Sequence, residues 1–488
     1  MAPTADAPLG AALRAVGLPS EEAERLEVGG ERGAPSSRLP VDELGVACVG
    51  AALLAAGDQV ASLDRGQLRA ALVSERLFFV DGARAGAGFA PASRFWPTAD
   101  GWIRTHANYP WHHAALLRGA GAKDDEELAA AIAARSAEQI EDDVFAAGGV
   151  TAAVRGPAEW LAHPQGAAVA TEPLVAHVRL GDAEPRPRCA LSVHTTDKAH
   201  RRDDGSFASA AGVRVLDLTR VIAGPVCSRY LGALGADVLR LDPPNLPDLE
   251  PGAPADTLLG KRSAFLDLGA EAGARRLEEL LGDADVVLLG YRPGALARFG
   301  LAPEDLAARH PGLVVVELSA WGHTGPWAER RGFDSIVQAA SGIASVEGEA
   351  GGAPGALPCQ LLDHGTGYLA AAAALAALAE QRESGGTHLR RLSLARTAHW
   401  LLGAGGADDD RPARGADEEG GASGLAARPV VPGWHEAGAA FVAPVDAAPS
   451  LAAVPPPGSL FGAPLRWPGA ARYGADEARW SRPDASTS

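Results

Sequence analysis

A regular alternation of short apolar runs and helical patterns, between residues 211 and 405, constrains the fold more than any other feature. The apolar runs Val213–Leu218, Val286–Leu289 and Leu313–Leu318 have the length of strands, and helical stretches such as Glu271–Leu281 separate them. Short apolar strands that alternate with helices are typical of a parallel sheet covered by helices on both faces. The pattern therefore predicts an α/β fold with a Rossmann-like sheet.

The 488 residues are enough for two or three domains, and the texture of the sequence changes along the chain. Residues 1–195 mix a helical pattern at Glu126–Gly148 with a strand pattern at Trp102–His106, which predicts a smaller α+β domain. A polar linker leads into the Rossmann-like domain, residues 196–405. Residues 406–488 begin acidic and Gly-rich and continue rich in Pro, Gly and Ala, so we expect a partly extended tail.

Charge and cysteine content exclude several classes of protein. A net charge of −17 argues against a nucleic-acid partner, which needs a basic face. The cysteines Cys48, Cys189, Cys227 and Cys359 are far apart and form no CxxC pair, as expected of thiols in a reducing compartment. The N-terminus lacks a signal pattern, and the apolar stretch Tyr368–Leu378 is shorter than a membrane span. We therefore expect a cytoplasmic protein with no membrane partner.

A strand, a turn and a helix over Val213–Leu234 (VRVLDLTRVIAGPVCSRYLGAL) predict a ligand site at the carboxyl edge of the sheet. Backbone N–H groups at such a helix start favour a phosphate. The segment is not a GxGxxG motif and alone fits any βα unit. The GxG spacing in Gly82–Gly88 lacks the strand-to-helix setting, so we interpret it as a flexible loop.

Six motifs follow one another in a fixed order. They are Gly212–Asp242 with its AGP turn and LGADVLRLDPP, Lys261–Leu268 (KRSAFLDL), Ala284–Gly294 (ADVVLLGYRPG), Leu318–Pro326 (LSAWGHTGP), Gly332–Asp334 (GFD) and Asp363–Gly367 (DHGTG). Together they resemble the class III CoA-transferases, the CaiB/BaiF family. The resemblance covers about a third of the chain and implies the CoA-transferase III fold.

In that family the aspartate of the last motif is the nucleophile, so the resemblance implies Asp363 as the catalytic residue. A carboxylate can attack an acyl-CoA thioester, form a mixed anhydride and then an aspartyl-CoA thioester, and repeat the steps in reverse with a second acid. Gly365 and Gly367 suit a close backbone approach beside it. The alternative is that Asp363 only caps a helix over Thr366–Ala379.

The resemblance also implies coenzyme A as the cofactor, supplied as acyl-CoA, with a small carboxylic acid as second substrate and no metal. Relatives contact CoA through the turn that aligns with Ile222 and Ala223 and through an arginine that aligns with Arg298. Further candidates are the cations and aromatic residues of the same motifs: Arg240, Lys261, Arg262, Tyr291, Arg292 and Trp321. The alternatives are solvated surface charges and, for Trp321, a core side chain.

Two other functions remain open. The α-methylacyl-CoA racemases of the family need a histidine in a GHD turn, where this chain has Phe333. His364 follows Asp363 directly and could be offered as a substitute for that histidine. Adjacent residues at a helix start point in different directions, however, so we do not expect His364 to take this role. The rivals are therefore an acyl-CoA racemase or isomerase on the same fold, and an inactive CoA-binding homologue.

The order of the parts departs from the family. Phe95–Arg104 and Glu138–Leu174 resemble elements that follow the Rossmann-like segment in typical members, so the order is permuted or derives from a double-length gene. No glycine-rich lid of the GGGGQ kind is found. Relatives form interlocked dimers, which implies a homodimer here. Asp42–Gln59 and Asp363–Gln381 are alike, each an Asp before an Ala-rich helix, and composition alone explains this likeness.

Three histidines, His106, His112 and His113, lie close together in the first region. A metal site is one interpretation, but no carboxylate or further histidine falls at helical ligand spacing. We interpret these side chains as packed or solvated.

Overall fold

The structure is a computed structural model, which describes residues 8–32, 37–57, 60–86, 88–186, 209–349, 352–404, 434–446 and 448–481. The first region alternates helices with short strands. Its elements are α1 (Pro8–Val16), β1 (Leu26–Gly29), α2 (Val41–Ala55), β2 (Ala61–Asp64), α3 (Arg65–Ala71), β3 (Phe79–Val80), β4 (Ala83–Arg84), β5 (Phe95–Pro97), β6 (Trp102–Thr105), α4 (Pro110–Ala120), α5 (Asp125–Ala133), α6 (Ala137–Ala146), β7 (Thr151–Ala153), α7 (Pro157–Ala162), α8 (Pro164–Thr171) and β8 (Ala176–Gly181).

Two local predictions for this region were wrong. The helix expected over Glu126–Gly148 is two helices, α5 and α6, because Ser136 caps a new helix by accepting a hydrogen bond from the N–H of Gln139 at 3.3 Å. The stretch from Gly82 begins in a hairpin between β3 and β4 rather than in a flexible loop. Asp81 and Gly82 form its turn in the left-handed region, with φ of 49° and 79°.

The second region builds the main sheet. Its elements are β9 (Arg214–Leu218), α9 (Ala223–Ala233), β10 (Asp237–Asp242), β11 (Arg262–Phe265), α10 (Glu271–Asp283), β12 (Val286–Leu289), α11 (Pro303–Arg309), β13 (Val314–Ser319), α12 (Asp334–Ser341), α13 (Ile343–Val346), α14 (Leu361–Ser384), β14 (Thr387–Ser393) and α15 (Leu394–Ala404). The strand order is β11-β10-β9-β12-β13-β14-β8, parallel except for β8, which runs antiparallel to β14. The first six strands have the order of a Rossmann fold, so the prediction of fold class is confirmed. The order reverses between β9 and β12, where such sheets bind ligands.

Helix α14 forms the centre of the core and packs between α2 and α9. It begins at Leu361, a full turn before the predicted start at Thr366, because Leu361 and Leu362 are themselves fully buried against the core. At 24 residues it is long and apolar enough to cross a membrane, but 94% of its most apolar window is buried inside the protein. Its hydrophobicity therefore serves internal packing.

The described part of the third region pairs with the rest of the molecule. Its elements are α16 (Trp434–Gly438), β15 (Ala443–Val445), β16 (Ala448–Ala453), β17 (Ser459–Leu460) and β18 (Ala463–Pro464). β16 pairs with β3 and β17 pairs with β2, both in the first region. Further on, Ala475 bridges Ala264 on the outer strand β11. The acidic stretch 406–421 lies outside the described residues.

Packing runs across the boundaries that we predicted at residues 195 and 405. Strand β8 of the first region completes the main sheet, and α2 shares one hydrophobic cluster with α14. The division into three domains stays a prediction. Three cysteines, Cys48, Cys227 and Cys359, are free and buried, and Cys189 lies outside the described residues.

Candidate active site

Asp363 lies in the first turn of α14 and is 6% exposed. The helix begins at Leu361, so Asp363 is inside the helix and is not its cap. A carboxylate in a first turn is favoured by the helix dipole. At Asp363 this favourable effect competes with the loss of hydration that burial imposes on the carboxylate.

Two further carboxylates influence Asp363. Asp334, the first residue of α12, is fully buried, and its Oδ2 accepts the backbone N–H of Asp363 at 2.9 Å. Burial raises the pKa of Asp363 well above its usual range, and the charges of Asp334 and Glu75 raise it further. Burial also raises the pKa of Asp334 to about 6, although hydrogen bonds from Gln338 and from the backbone oppose it. Both carboxyl groups therefore hold a proton more tightly than an aspartate in water does.

Glu75 comes from the first region and contacts His364 rather than Asp363. Its Oε2 lies 3.2 Å from Nε2 of the fully buried His364. Burial raises the pKa of Glu75, but the hydrogen bond and charge of His364 outweigh this, so that the pKa is lowered overall. Glu75 therefore engages Nε2 of His364. This agrees with the expectation that the side chains of Asp363 and His364 point in different directions.

Phe333, which occupies the position of the racemase histidine, stacks on a histidine of the first region. The ring of His106 lies 3.8 Å from that of Phe333, with an interplanar angle of 13°. Tyr109 and His112 pack around the same pair. Burial lowers the pKa of His106 to about 3 and that of His112 to about 4, so both rings are neutral at pH 7. These histidines are packed, while His113 lies 2.6 Å from Asp125.

The predicted CoA turn lies directly against the helix of Asp363. Ile222 is the N-cap of α9, and Ala223 is its first residue. A Cβ atom at Gly367 would lie only 2.5 Å from the carbonyl oxygen of Ala223, so glycine is required for this approach. The structure thus brings Ile222, Ala223 and Asp363 to one end of the sheet, where its strand order reverses.

The loop after β12 borders a cleft. Tyr291 and Arg292 line a cavity of about 230 Å³, together with Glu317, His323 and Arg391. Burial raises the pKa of Tyr291 to about 12. Arg298 is exposed on the same loop but does not line this cavity.

Three cations that we predicted to bind phosphate form ion pairs with carboxylates of the protein instead. Arg240 is fully buried, with Nε 2.6 Å from Asp242 and Nη2 2.9 Å from Asp248. Lys261 lies 3.0 Å from Asp217, and burial lowers its pKa to about 8. Arg262 lies 2.6 Å from the carboxylate of Asp237 on the neighbouring strand. Because carboxylates already pair with these cations, the structure does not support phosphate binding by them.

Trp321 is a core side chain in this structure. It is 2% exposed, packs edge-on to Trp327 with ring centres 4.9 Å apart, and donates its Nε1–H to the carbonyl of Arg331 at 3.1 Å. It supports the segment that leads into Phe333 and Asp334. The core alternative for Trp321 is therefore favoured over a pocket-lining role.

Sequence reasoning missed Glu75 and treated Asp334 only as part of a motif. The GFD turn was a usable signal for Asp334, because a carboxylate within a site motif is a candidate for charge coupling. Glu75 carried no signal, since 289 positions separate it from His364. Among the described residues, no group of three or more His, Cys, Asp or Glu side chains converges as a metal site would.

The fold and the site together define a Rossmann-like α/β protein with a buried aspartate beside the ligand edge of its sheet. Residues 210–436 match the family model described as CoA-transferase family III. The resemblance inferred from the six motifs is thus confirmed.

Relatives with assigned names match parts of the chain. "Probable fatty acyl-CoA transferase Rv3272" of Mycobacterium tuberculosis is 37% identical over 186 residues, which are 36% of this chain and 47% of the relative. "Acyl-CoA transferase" of Gibberella moniliformis is 32% identical over 324 residues, which are 62% of this chain and 55% of the relative. A crystal structure of a CaiB/BaiF family protein from Brucella suis aligns with 30% identity and a TM-score of 0.37 over 39% of this chain and 55% of that one. The chain spans about half the length of the curated relatives it matches.

Proposed function

We propose that the protein moves CoA between an acyl-CoA and a carboxylic acid, with Asp363 as the nucleophile. The observation that carries the proposal is a buried aspartate near two other carboxylates, in the first turn of the helix whose Gly367 packs against the turn Ile222–Ala223. Relatives named as CoA-transferases support the reaction class.

In the first half-reaction, a carboxylate oxygen of Asp363 attacks the thioester carbon of the acyl-CoA. The carbon–sulfur bond breaks, CoA leaves as a thiolate, and a mixed anhydride remains. The thiolate then attacks the aspartyl carbonyl, which forms an aspartyl-CoA thioester and releases the first acid as its carboxylate. The second acid reverses these steps, so neither ATP nor a metal is consumed.

The electrostatics of the site suit this covalent chemistry. An ionised Asp363 is poorly hydrated and lies near the charges of Asp334 and Glu75, so its charged form is unstable. Conversion of this carboxylate into a neutral anhydride or thioester removes one negative charge from the cluster. We therefore expect the covalent states to be favoured relative to an aspartate in water.

For CoA itself, we propose that the turn Ile222–Ala223 approaches the pantetheine end and that Arg292 and Arg298 face the phosphates. Both arginines are exposed, and neither has an ion pair with a carboxylate among the described residues. The homodimer and the cytoplasmic location inferred from the sequence stay predictions, and sedimentation of the purified protein would test the dimer.

The proposal is tested by trapping. Incubation with a panel of acyl-CoAs followed by hydroxylamine should convert Asp363 into a hydroxamate, detected as a mass change in its peptide. Asp363→Asn should give no adduct. A racemase would exchange the α-hydrogen of its substrate with deuterated water and leave no adduct, and an inactive homologue would bind CoA and do neither. Either of these two results would overturn the proposal.

A further inference from the structure

The turn that leads into α9 contains a residue with a strained backbone. Val221 has a φ of 65°, in the left-handed region, where the two branches at its Cβ crowd the main chain. Asp81 and Phe461 are the other non-glycine residues with positive φ in the described part of the chain, and neither is β-branched. A conformation of this kind costs free energy and persists only where surrounding contacts hold it. Val221 directly precedes Ile222 and Ala223, the turn that we propose to approach CoA.

A buried carboxylate contacts the strained residue. Asp248 lies in the loop after β10, its side chain is 6% exposed, and its Oδ2 accepts the backbone N–H of Val221 at 3.3 Å. The same oxygen accepts Nη2 of Arg240 at 2.9 Å, and Nη2 of Arg220 lies 3.6 Å from Oδ1. Burial raises the pKa of Asp248, but the charges of Arg240 and Arg220 outweigh this, so that the pKa is lowered overall. The N–H of Val221 is therefore bound to an ionised acceptor.

Asp248 is itself fixed by the two other regions of the chain. The hydroxyl of Tyr109, in the first region, donates to Oδ1 of Asp248. The hydroxyl of Tyr473, in the third region, accepts the backbone N–H of Asp248 at 2.8 Å. Tyr473 is fully buried, and its ring lies 5.4 Å from the guanidinium of Arg240. Residues 244–246 of the same loop are exposed, so contacts with other elements fix the position of Asp248.

The turn remains accessible to a ligand. Val221, Ile222 and Ala223 are each half-buried, whereas Gly224–Ala233, the rest of α9, is buried. Gly367 of α14 closes one side of the turn by its approach to the carbonyl of Ala223. Because a site that is ordered in advance loses less entropy on binding than a mobile one, a turn held in this way binds its ligand more tightly.

We infer that Asp248 is a positioning residue, which holds Val221 in the left-handed conformation and so presents the turn Ile222–Ala223 to CoA. The inference rests on the proposed function. Asp248 acts through Val221 and not by its charge on the ligand, and the two effects have opposite signs. The phosphates of CoA are anionic, so removal of a carboxylate that acted by its charge alone would tighten CoA binding. Removal of a positioning carboxylate weakens it.

The test measures the dissociation constant of CoA by isothermal titration calorimetry. Asp248→Ala removes the acceptor of the Val221 N–H and should raise the constant by about tenfold or more. Asp248→Asn keeps an oxygen that can accept this N–H, so its effect should be smaller. Val221→Gly, added to Asp248→Ala, should restore about threefold or more of the lost affinity, because glycine adopts a positive φ without steric strain.

Matched variants accompany the test. Asp81→Gly also places a glycine at a left-handed position, in the hairpin between β3 and β4, and should restore nothing when added to Asp248→Ala. Tyr109→Phe is a milder variant, which removes one hydrogen bond to Asp248 and should raise the dissociation constant by about threefold. Tyr230→Phe removes a buried hydroxyl that donates to the carbonyl of Pro457 at 3.1 Å, and it should leave the constant unchanged.

The outcomes separate the inference from the proposed function. If Asp248→Ala binds CoA as tightly as the wild type or more tightly, the inference is wrong and the proposed function stands. The inference is also wrong if Val221→Gly restores no more affinity than Asp81→Gly does. If Asp248→Ala does not fold, Tyr109→Phe decides, and a dissociation constant equal to that of the wild type overturns the inference. If the wild type itself binds no CoA, the proposed function fails and the inference fails with it.

Discussion

Helices α2 and α14 offer a comparison within one molecule. They pack against each other, each carries an aspartate in its first turn, and each is followed by a strand and another helix. Asp42 on α2 is held by Arg65 and by Arg69, whose Nε lies 2.8 Å away. Asp363 on α14 instead faces the carboxylates of Asp334 and Glu75.

The comparison shows that the helix alone does not set how readily its aspartate ionises. Both aspartates have the same local setting, a first turn before an Ala-rich buried helix. Cations make Asp42 an ordinary structural residue, whereas burial and neighbouring acids make Asp363 a carboxyl group that resists ionisation. Besides its burial, the difference therefore comes from α12, which carries Asp334, and from the first region of the chain, which carries Glu75.

The largest expected effect concerns turnover. Asp363→Asn keeps the size of the side chain but removes the nucleophile, so CoA exchange should fall by at least about 1,000-fold. Asp42→Asn should retain exchange within about threefold, because Asp42 lies on the other helix and belongs to no site contact. Both rates are measured by chromatography of the acyl-CoA products. Comparable losses in the two variants would contradict the assignment.

Glycine substitutions test how tightly α14 and α2 each pack against their neighbours. A Cβ atom at Gly367 on α14 would lie 2.5 Å from the backbone oxygen of Ala223 and 2.9 Å from Cβ of Val226. At Gly50 on α2 it would meet the flexible end of Leu26 at 2.6 Å. Gly367→Ala should therefore cost about 2–4 kcal/mol and Gly50→Ala about 1 kcal/mol or less, because a side chain can move aside and the backbone cannot. Urea denaturation of the two variants measures the difference.

The effect of replacing the aspartate on the free energy of unfolding should depend on pH differently for Asp363 and for Asp42. The raised pKa of Asp363 means that the folded protein holds this proton more tightly than the unfolded chain. Its contribution to stability is complete below about pH 4, the ordinary pKa of aspartate, and is lost as the pH rises through the raised value. Asp363→Asn should therefore be more stable than the wild type at pH 7.5, by on the order of 1–3 kcal/mol, and this gain should vanish toward pH 4.

The matched variant Asp42→Asn should behave in the opposite way at pH 7.5. It leaves Arg65 and Arg69 without their charged partner, and we expect a loss of about 1–2 kcal/mol. Chemical denaturation at each pH provides the free energies of unfolding. A destabilised Asp363→Asn at pH 7.5 would show that the carboxylate is not strained.

The smallest effect concerns the contribution of the first region to the site. Glu75→Gln removes one of the charges that raise the pKa of Asp363. The acid limb of the kcat/KM profile should move to lower pH by less than about one unit, because the carboxylate of Asp363 forms more readily. Glu24→Gln, an exposed glutamate in the same region, is the control and should leave the profile in place.

Much of the main sheet could be predicted because its strands are buried on both faces and stand out as apolar runs. Val286–Leu289 is observed as predicted, and Leu313–Leu318 is shifted by one residue. Within the motif Lys261–Leu268, strand β11 begins at the polar residue Arg262, because Arg262 pairs sideways with Asp237 on the neighbouring strand. A polar residue at a strand start is hard to assign without knowing the partner strand.

The site was less predictable than the sheet. Asp363 could be found because a motif marks it, but its protonation depends on Asp334, which is 29 positions away, and on Glu75 from the first region. Arg240 shows the opposite problem, since its position in a motif suggested a phosphate ligand while two buried carboxylates engage it. Sequence indicates which residues carry charge, and only the tertiary fold decides which charges cancel.

The contacts of residues 470–481 with the outer strand β11 and with α10 bear on how the protein should be handled. Asp476 donates its N–H to the carbonyl of Ser263 at 2.8 Å, and Trp480 donates to the carbonyl of Leu280 at 3.2 Å. A shortened version that stops after α15 would leave the N–H and C=O row of β11 open to water and to other molecules. Open rows of this kind invite strand-to-strand aggregation, so we expect the shortened protein to precipitate where the full chain does not.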